Sequence, residues 1–295
     1  MRLIYAAFAL LLILMTSAQC QSTAEGWYNK GCDLSIQGKY DDAIKAYDEA
    51  IRLNPKLAKP WYNKGLTLDN QGKIDEAIKA YDEAIRLDPN YADAWNNKGN
   101  ALKVQGRYDD AIKAFDETIR LDPNHAEAWY NKGLSLSFQG KYDEAVKAYD
   151  EAIRLNATDS NAWYAKGHNL NSQGKYDEAI KAYDEAIRLD PNRADAWNNK
   201  GVALKNQGKY DDAIKAYDEA TRLAPTDVGA WYNKGVALFK QGKHDEAIQA
   251  LDEAIRLDPN NAGAWYVKGF ALKALGRTTD SDAAFSKAKE LGYSG

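Results

Sequence analysis

Residues 58–91 read AKPWYNKGLTLDNQGKIDEAIKAYDEAIRLDPNY, and this 34-residue segment recurs along most of the chain. Its glycine four residues after the tryptophan (Gly65) and its leucine seven residues after it (Leu68) keep the same phase in every copy. The eight tryptophans of the chain are all 34 residues from their neighbours: Trp27, Trp61, Trp95, Trp129, Trp163, Trp197, Trp231 and Trp265. The sequence is therefore a tandem array of one short unit.

Each copy carries the patterns of two amphipathic helices. Trp61, Gly65 and Leu68 lie on one face of a helix, because their spacing follows a period of about 3.6 residues. A second pattern, of alanine, tyrosine and alanine at residues 77, 81 and 84, has the same geometry in a stretch of about 14 residues. Gly72 between them can take the left-handed conformation that ends a helix, and Pro89 stops the second helix. The unit is predicted to be a helix-turn-helix hairpin.

Small and large side chains alternate in these hairpins. Glycine and alanine allow the two helix axes to approach closely, while tryptophan, leucine and tyrosine fill the space around them. One hairpin cannot cover its own apolar face, so neighbouring hairpins are expected to stack.

The unit resembles the tetratricopeptide repeat, whose pattern of Trp, Leu-Gly, Tyr, Ala, Phe and Pro has the same period. The resemblance covers residues 24–295 and implies an all-α fold, an α-solenoid of eight helix-turn-helix hairpins in a right-handed superhelix. The repeats would start near residues 24, 58, 92, 126, 160, 194, 228 and 262.

Two positions depart from the family pattern in every copy. The leucine before the first glycine is lysine, from Lys30 to Lys268, and a leucine stands where tyrosine is expected, seven residues after the tryptophan. Each lysine can pack its methylenes along the hairpin and reach an acid, or it can simply be solvated. The sequence leaves both interpretations open.

The last predicted helix is different on one face. Asp282 and Lys289 replace the aliphatic residues that earlier copies, such as the one with Ile44 and Ile51, present to the following repeat. This substitution predicts a polar cap at the end of the array.

The first residues have the layout of a secretory signal. Arg2 precedes an apolar run from Leu3 to Met15, and Ala18 follows as a small residue suited to cleavage. Residues 1–23 are therefore predicted to be a signal peptide or an N-terminal membrane anchor, with lipidation at Cys20 as a third possibility. All three predict a secreted or extracytoplasmic array, possibly membrane-anchored through its N-terminus. Export would make Asn156 a possible glycosylation acceptor. Alternatively, the sequence of this turn has only diverged from that of the other copies.

Composition argues against several function classes. Thirty-nine Lys and Arg against 43 Asp and Glu give a net charge of −4, which disfavours nucleic acid as a partner. The histidines (His125, His168 and His244) fall at different phases of the repeat, and Cys20 and Cys32 lack the spacing of a zinc site. No group of acids stands out from the repeating pattern. We therefore expect no catalytic residues, metal or cofactor.

A binding role is a better prediction. Successive first helices of stacked hairpins line one concave wall, where peptides bind in such arrays. Two residues after the tryptophan, an asparagine can bond the main chain of a peptide or the neighbouring hairpin: Asn29, Asn63, Asn97, Asn131, Asn199 and Asn233. One residue after the tryptophan, tyrosines offer adaptable contacts, and the candidates are Tyr62, Tyr130, Tyr164 and Tyr232.

The sequence thus favours a non-catalytic scaffold that binds a peptide segment of a protein partner in a concave groove. Its lining lacks the pairs of Lys and Arg with which some relatives hold a terminal carboxylate. The alternative is a structural spacer of the cell envelope that self-associates and leaves the groove empty. A membrane contact is expected only through the N-terminal segment.

Overall fold

The computed structural model describes residues 23–293, which contain sixteen α-helices and no strand. The predicted all-α fold is confirmed. The first helices of the hairpins, called A helices, have 13 residues each: α1 (Ala24–Ile36), α3 (Ala58–Asn70), α5 (Ala92–Val104), α7 (Ala126–Phe138), α9 (Ser160–Ser172), α11 (Ala194–Asn206), α13 (Val228–Lys240) and α15 (Ala262–Ala274).

The second helices of the hairpins, called B helices, have 14 residues except for the last, which has 13. They are α2 (Tyr40–Leu53), α4 (Ile74–Leu87), α6 (Tyr108–Leu121), α8 (Tyr142–Leu155), α10 (Tyr176–Leu189), α12 (Tyr210–Leu223), α14 (His244–Leu257) and α16 (Thr278–Glu290). Each A–B turn contains a glycine with positive φ, such as Gly106 at 74°, as the turn pattern predicts.

The chain divides into two compact units, one ending at Lys141 and the other beginning at Tyr142. Within each unit, an A helix packs against the B helix that follows it in that unit, and each B helix packs against the next A helix. This is the predicted stack of hairpins, an α-solenoid of eight repeats.

The close helix approach inside hairpins such as the third and the sixth requires glycine. A Cβ added at Gly99 would lie 2.6 Å from Cε1 of Phe115, which is fully buried. The same relation holds between Gly201 and Tyr217, again at 2.6 Å. Alanines complete the core on the facing helix, because Ala43 and its counterparts are buried in seven repeats, and the buried Ser281 takes this place in the last.

The repeated lysine joins neighbouring repeats. Nζ of Lys132 lies 2.6 Å from Oδ1 of Asp116 on the preceding B helix and 5.3 Å from the ring centroid of Trp129. Its side chain is only 22% exposed. The same ion pair recurs at Lys64, Lys98, Lys166, Lys200, Lys234 and Lys268. Of the two interpretations left open by the sequence, the structure has the paired lysine.

The tryptophans connect consecutive repeats through a second bond. The indole N–H of Trp95 donates to the carbonyl of Pro89 at 3.2 Å, and Trp129 bonds Pro123 in the same way at 3.3 Å. Each bond fixes the loop after one B helix against the next A helix.

Contacts within each unit define an inner side. Successive A helices touch one another, whereas in the described part of the chain successive B helices do not come that close. The A helices therefore form the tighter, concave wall of each unit.

At the end of the array, Asp282 and Lys289 are exposed on α16, as expected of a polar cap. None of the helices in residues 23–293 combines the length and the apolar character that a bilayer crossing needs. The predicted signal peptide or anchor and Cys20 lie outside the described residues.

Candidate functional site on the A helices

The inner wall is the face of the A helices whose side chains meet the next A helix. It consists of the positions two before and one, two, five and eight after each tryptophan, and the position nine after the tryptophan continues the same helix face one turn beyond position five. Contacts 35 residues apart, such as Tyr28 to Asn63, and 27 or 28 residues apart, such as Lys103 to Asn131, connect these positions across repeats.

Three of the predicted asparagines make the same bond. Nδ2 of Asn63 donates to Oη of Tyr28 at 2.9 Å, and Asn97 donates in the same way to Tyr62. Asn199 donates to Tyr164 at 2.8 Å. The asparagine therefore stabilises the contact between successive A helices through a side chain, not through the neighbour's backbone. In the described residues the Oδ1 atoms of these three asparagines have no protein partner.

The other asparagines differ because their neighbours differ. Asn131 follows a repeat with Asn96 in place of tyrosine, and its Oδ1 accepts from Nζ of Lys103 at 2.6 Å. Asn233 donates to Oδ1 of Asn198 at 3.2 Å. Asn29 is exposed on the first A helix.

The predicted tyrosines are half-buried on the same wall. Burial raises the pKa of Tyr62, Tyr164 and Tyr232, so their hydroxyls keep the proton. A hydroxyl that accepts from an asparagine can still donate its own hydrogen. Tyr130 is also half-buried and has an interaction of its own.

A cavity of about 1080 Å³ opens at the N-terminal ends of α1, α3 and α5. Glu25, Tyr28 and Asn29 line it from the first repeat, Tyr91 from the end of the second and Asp93 from the third. The ring of Tyr91 packs 4.7 Å from that of Tyr62. The cavity thus combines aromatic faces with carboxylates.

The opposite end of the A helices in the first unit carries apolar residues that the sequence analysis did not select. Ile36, Val104 and Phe138 stand nine residues after their tryptophans and are 86%, 69% and 66% exposed. In the sequence, these residues could have been found as apolar residues at one position of the repeat, at the end of the first predicted helix. Only a stacked arrangement shows that they share one edge.

Lysine at the eighth position after tryptophan is half-buried in two repeats. Burial lowers the pKa of Lys103, and the neighbouring carboxylate of Glu127 opposes that shift. Burial also lowers the pKa of Lys205. These lysines are isolated cations, not the pairs that would hold a terminal carboxylate.

The described residues contain no group of three or more His, Cys, Asp and Glu side chains placed to hold a metal. Cys32 is a free, half-buried thiol that accepts a hydrogen bond from Asn63.

Comparison with known proteins agrees with the hairpin geometry. The family model described as tetratricopeptide repeat matches seven overlapping segments: residues 28–92, 62–124, 96–160, 130–194, 164–228, 200–262 and 232–292. The chain belongs to the tetratricopeptide repeat family. A search of curated proteins gave no match.

Solved structures of tetratricopeptide repeat proteins resemble the chain. YrrB, described as a TPR protein with an unusual peptide-binding site, is 27% identical, with 65% of this chain and 98% of YrrB covered and a TM-score of 0.59. MamA from Desulfovibrio magneticus RS-1 is 26% identical over 56% of this chain and 94% of MamA, with a TM-score of 0.54. A repeat protein from Parabacteroides merdae, 17% identical over 80% of this chain and 94% of its own, shares the fold with a TM-score of 0.61.

Tetratricopeptide repeat proteins are generally non-catalytic scaffolds that bind protein or peptide partners. The family and its stacked hairpins make this chain a scaffold suited to protein–protein interaction.

Proposed function

We propose that the inner wall binds an extended peptide segment of a partner protein. The observation that carries this proposal is the orientation of Asn63, Asn97 and Asn199. Each amide is held through Nδ2 by a tyrosine hydroxyl of the preceding repeat, and no group within residues 23–293 bonds its Oδ1. A fixed acceptor loses little conformational entropy when a peptide N–H binds to it.

The rest of the wall supports the proposal. Asparagine can bond the main chain of a peptide of any sequence. The variable position five after tryptophan, with Leu66, Asn100 and Leu134 in successive repeats, can select the side chains of the peptide. YrrB, a structural neighbour, is described as having a peptide-binding site.

The experiment separates ligand binding from stacking. A variant with Asn97 and Asn199 replaced by alanine loses two of the three inter-repeat amide bonds together with their free Oδ1 acceptors. A second variant, Tyr62→Phe with Tyr164→Phe, loses the hydroxyls but keeps the asparagines. Partners are captured by crosslinking in native membranes and identified by mass spectrometry, and melting is followed by circular dichroism.

We expect the asparagine variant to lose capture and the tyrosine variant to retain most of it, with both melting slightly below the parent. Equal capture by the parent and the asparagine variant, or crosslinks confined to B helices, would refute groove binding.

We also propose that the repeats act outside the cytoplasm. The support is the sequence of residues 1–18, with Arg2, the apolar run from Leu3 to Met15 and the small residue Ala18. N-terminal sequencing of the native protein tests it. A mature N-terminus after Ala18 indicates cleavage, a membrane-bound protein with residue 1 retained indicates an anchor, and a soluble protein that keeps residue 1 contradicts export.

A further inference from the structure

The inner wall of the first unit has two different edges. Near the start of the A helices, the position two before tryptophan holds Glu25, Asp93 and Glu127, all exposed. Near the end of the same helices stand the exposed apolar residues Ile36, Val104 and Phe138. Both sets come from repeats one, three and four; the second repeat has Lys59 and Asn70 instead.

In the described residues no cation forms an ion pair with the acids of this edge, although the ammonium of Lys103 lies near enough to Glu127 for their charges to interact. Within residues 23–293, Glu25, Asp93 and Glu127 form no ion pair. Glu127 accepts weak bonds of 3.5 and 3.4 Å from the amides of Asn100 and Asn131. Glu25 and Asp93 also line the cavity of about 1080 Å³, where Lys56 and Lys59 are the basic residues.

The second unit shows what such an acid binds when a cation is present. Arg193 places its guanidinium 4.2 Å from the ring centroid of Tyr164 and donates from Nε to Oδ1 of Asp195 at 2.9 Å. It also donates to Oδ1 of Asn161 at 2.8 Å. In the first unit, Tyr62 and Asp93 correspond to Tyr164 and Asp195, but Tyr91 takes the place of the arginine.

The second unit also lacks the apolar edge. The position nine after tryptophan is filled there by Ser172, Asn206, Lys240 and Ala274. Its acid, Asp195, is already paired with Arg193. The two kinds of recognition chemistry therefore coincide only on the first unit.

We propose that the first unit binds a basic, amphipathic peptide segment, whose arginine or lysine side chains pair with Glu25, Asp93 and Glu127 while its apolar side chains cover Ile36, Val104 and Phe138. This inference rests on the proposed peptide-binding function and specifies its ligand. In an extended segment successive side chains point to opposite sides, so alternating basic and apolar residues reach both edges. Aromatic rings beside the acids, as at Tyr91, add a face that attracts a guanidinium.

The test uses the full chain and fluorescently labelled short peptides of defined sequence. One peptide alternates arginine with leucine; in three others citrulline or glutamate replaces arginine, or serine replaces leucine. Fluorescence anisotropy gives the dissociation constants. We expect the arginine–leucine peptide to bind at least about tenfold more tightly than the citrulline and serine peptides, and binding to weaken with added salt.

Matched variants locate the site. Asp93→Asn with Glu127→Gln is expected to weaken binding about tenfold, whereas Glu76→Gln with Glu178→Gln, which makes the same charge change on exposed B-helix positions, leaves it unchanged. Val104→Ser with Phe138→Ser is expected to weaken binding, and Leu53→Ser is its control. Circular dichroism shows that each variant is folded.

Three outcomes overturn the inference: equal weakening by the control and site variants, tighter binding of the glutamate peptide, or no binding of the arginine peptide. If the glutamate peptide binds and is released by the asparagine variant, peptide binding in the groove stands and only this ligand chemistry fails.

Discussion

At the scale of single residues, the paired lysine is the contact that the sequence could not decide. Seven repeats bring its ammonium to an aspartate of the preceding repeat, and in the described residues Lys30 of the first repeat has only its tryptophan, at 4.4 Å. The lysine occurs in every copy and the aspartate in all but the last, but the contact between them depends on how the hairpins stack. A single copy contains no information on that register.

Replacing Lys132 by alanine tests the strength of this contact. The change removes an ion pair with a half-exposed aspartate, the contact with Trp129, and the buried methylenes, so we expect a loss of about 1–2 kcal/mol in the free energy of unfolding. Lys113→Ala, at an exposed pair within one helix, serves as the control and is expected to cost less than about 0.5 kcal/mol. Urea denaturation measures both, and equal losses would contradict a special role for the inter-repeat pair.

The buried tyrosine of the B helices leads to a different expectation. Oη of Tyr217 is buried and has no hydrogen-bond partner in the described residues, and the equivalent residue of the third repeat is Phe115. Tyr217→Phe removes an unsatisfied polar group and keeps the ring, so the free energy of unfolding is expected to stay equal or to rise by up to about 1 kcal/mol. A clear decrease in urea denaturation would mean that the hydroxyl has a partner, such as a buried water.

At the scale of the helix pair, the glycine inside each A helix sets the distance between the two axes. Gly99→Ala improves helix propensity by about 1 kcal/mol. However, the new methyl group would meet the immobile ring of Phe115 at 2.6 Å. We expect a net loss of about 1–3 kcal/mol, because overpacking exceeds the gain in propensity.

Gly263→Ala is the matched control for this prediction. It lies in the first turn of α15, where the nearest atom to an added Cβ is Oη of Tyr232 at 3.4 Å. This substitution is expected to be neutral or slightly stabilising. Thermal melting followed by circular dichroism compares the two, and a stabilised Gly99→Ala variant would show that the hairpin can open without cost.

The helix pairs themselves were the predictable part of the structure. Trp61, Gly65, Leu68 and the glycine of the turn define their faces and ends within one copy, so period and propensity suffice. The inner wall was less predictable. The edge that Ile36 and Phe138 share depends on how the repeats stack, and the bond between Asn97 and Tyr62 joins residues of different repeats.

At the scale of the whole molecule, the last helix presents a poor surface for continued stacking. Besides Asp282 and Lys289, α16 has Ser286 where other B helices have the aspartate that pairs with lysine. It also has Thr279 where Asp41 and its counterparts accept a bond from a glutamine of the next repeat. A second copy stacked on this surface would lose both contacts and would bury charge.

We therefore expect the chain not to associate end to end. Analytical ultracentrifugation over a range of concentrations should find a monomer, whereas a variant with Asp282→Ile, Ser286→Asp and Lys289→Ile should form concentration-dependent oligomers. Oligomers of the parent chain that disappear when α16 is altered would instead support the self-associating spacer.

The indole bonds described above have a consequence for spectroscopy. Since these donors span junctions between consecutive repeats, the intrinsic fluorescence of the chain monitors separation of neighbours more directly than loss of helicity. Fraying that starts at one terminus would change emission in small successive increments, each belonging to one indole. In variants that each retain a single tryptophan, the emission would report the separation of repeats at that one junction.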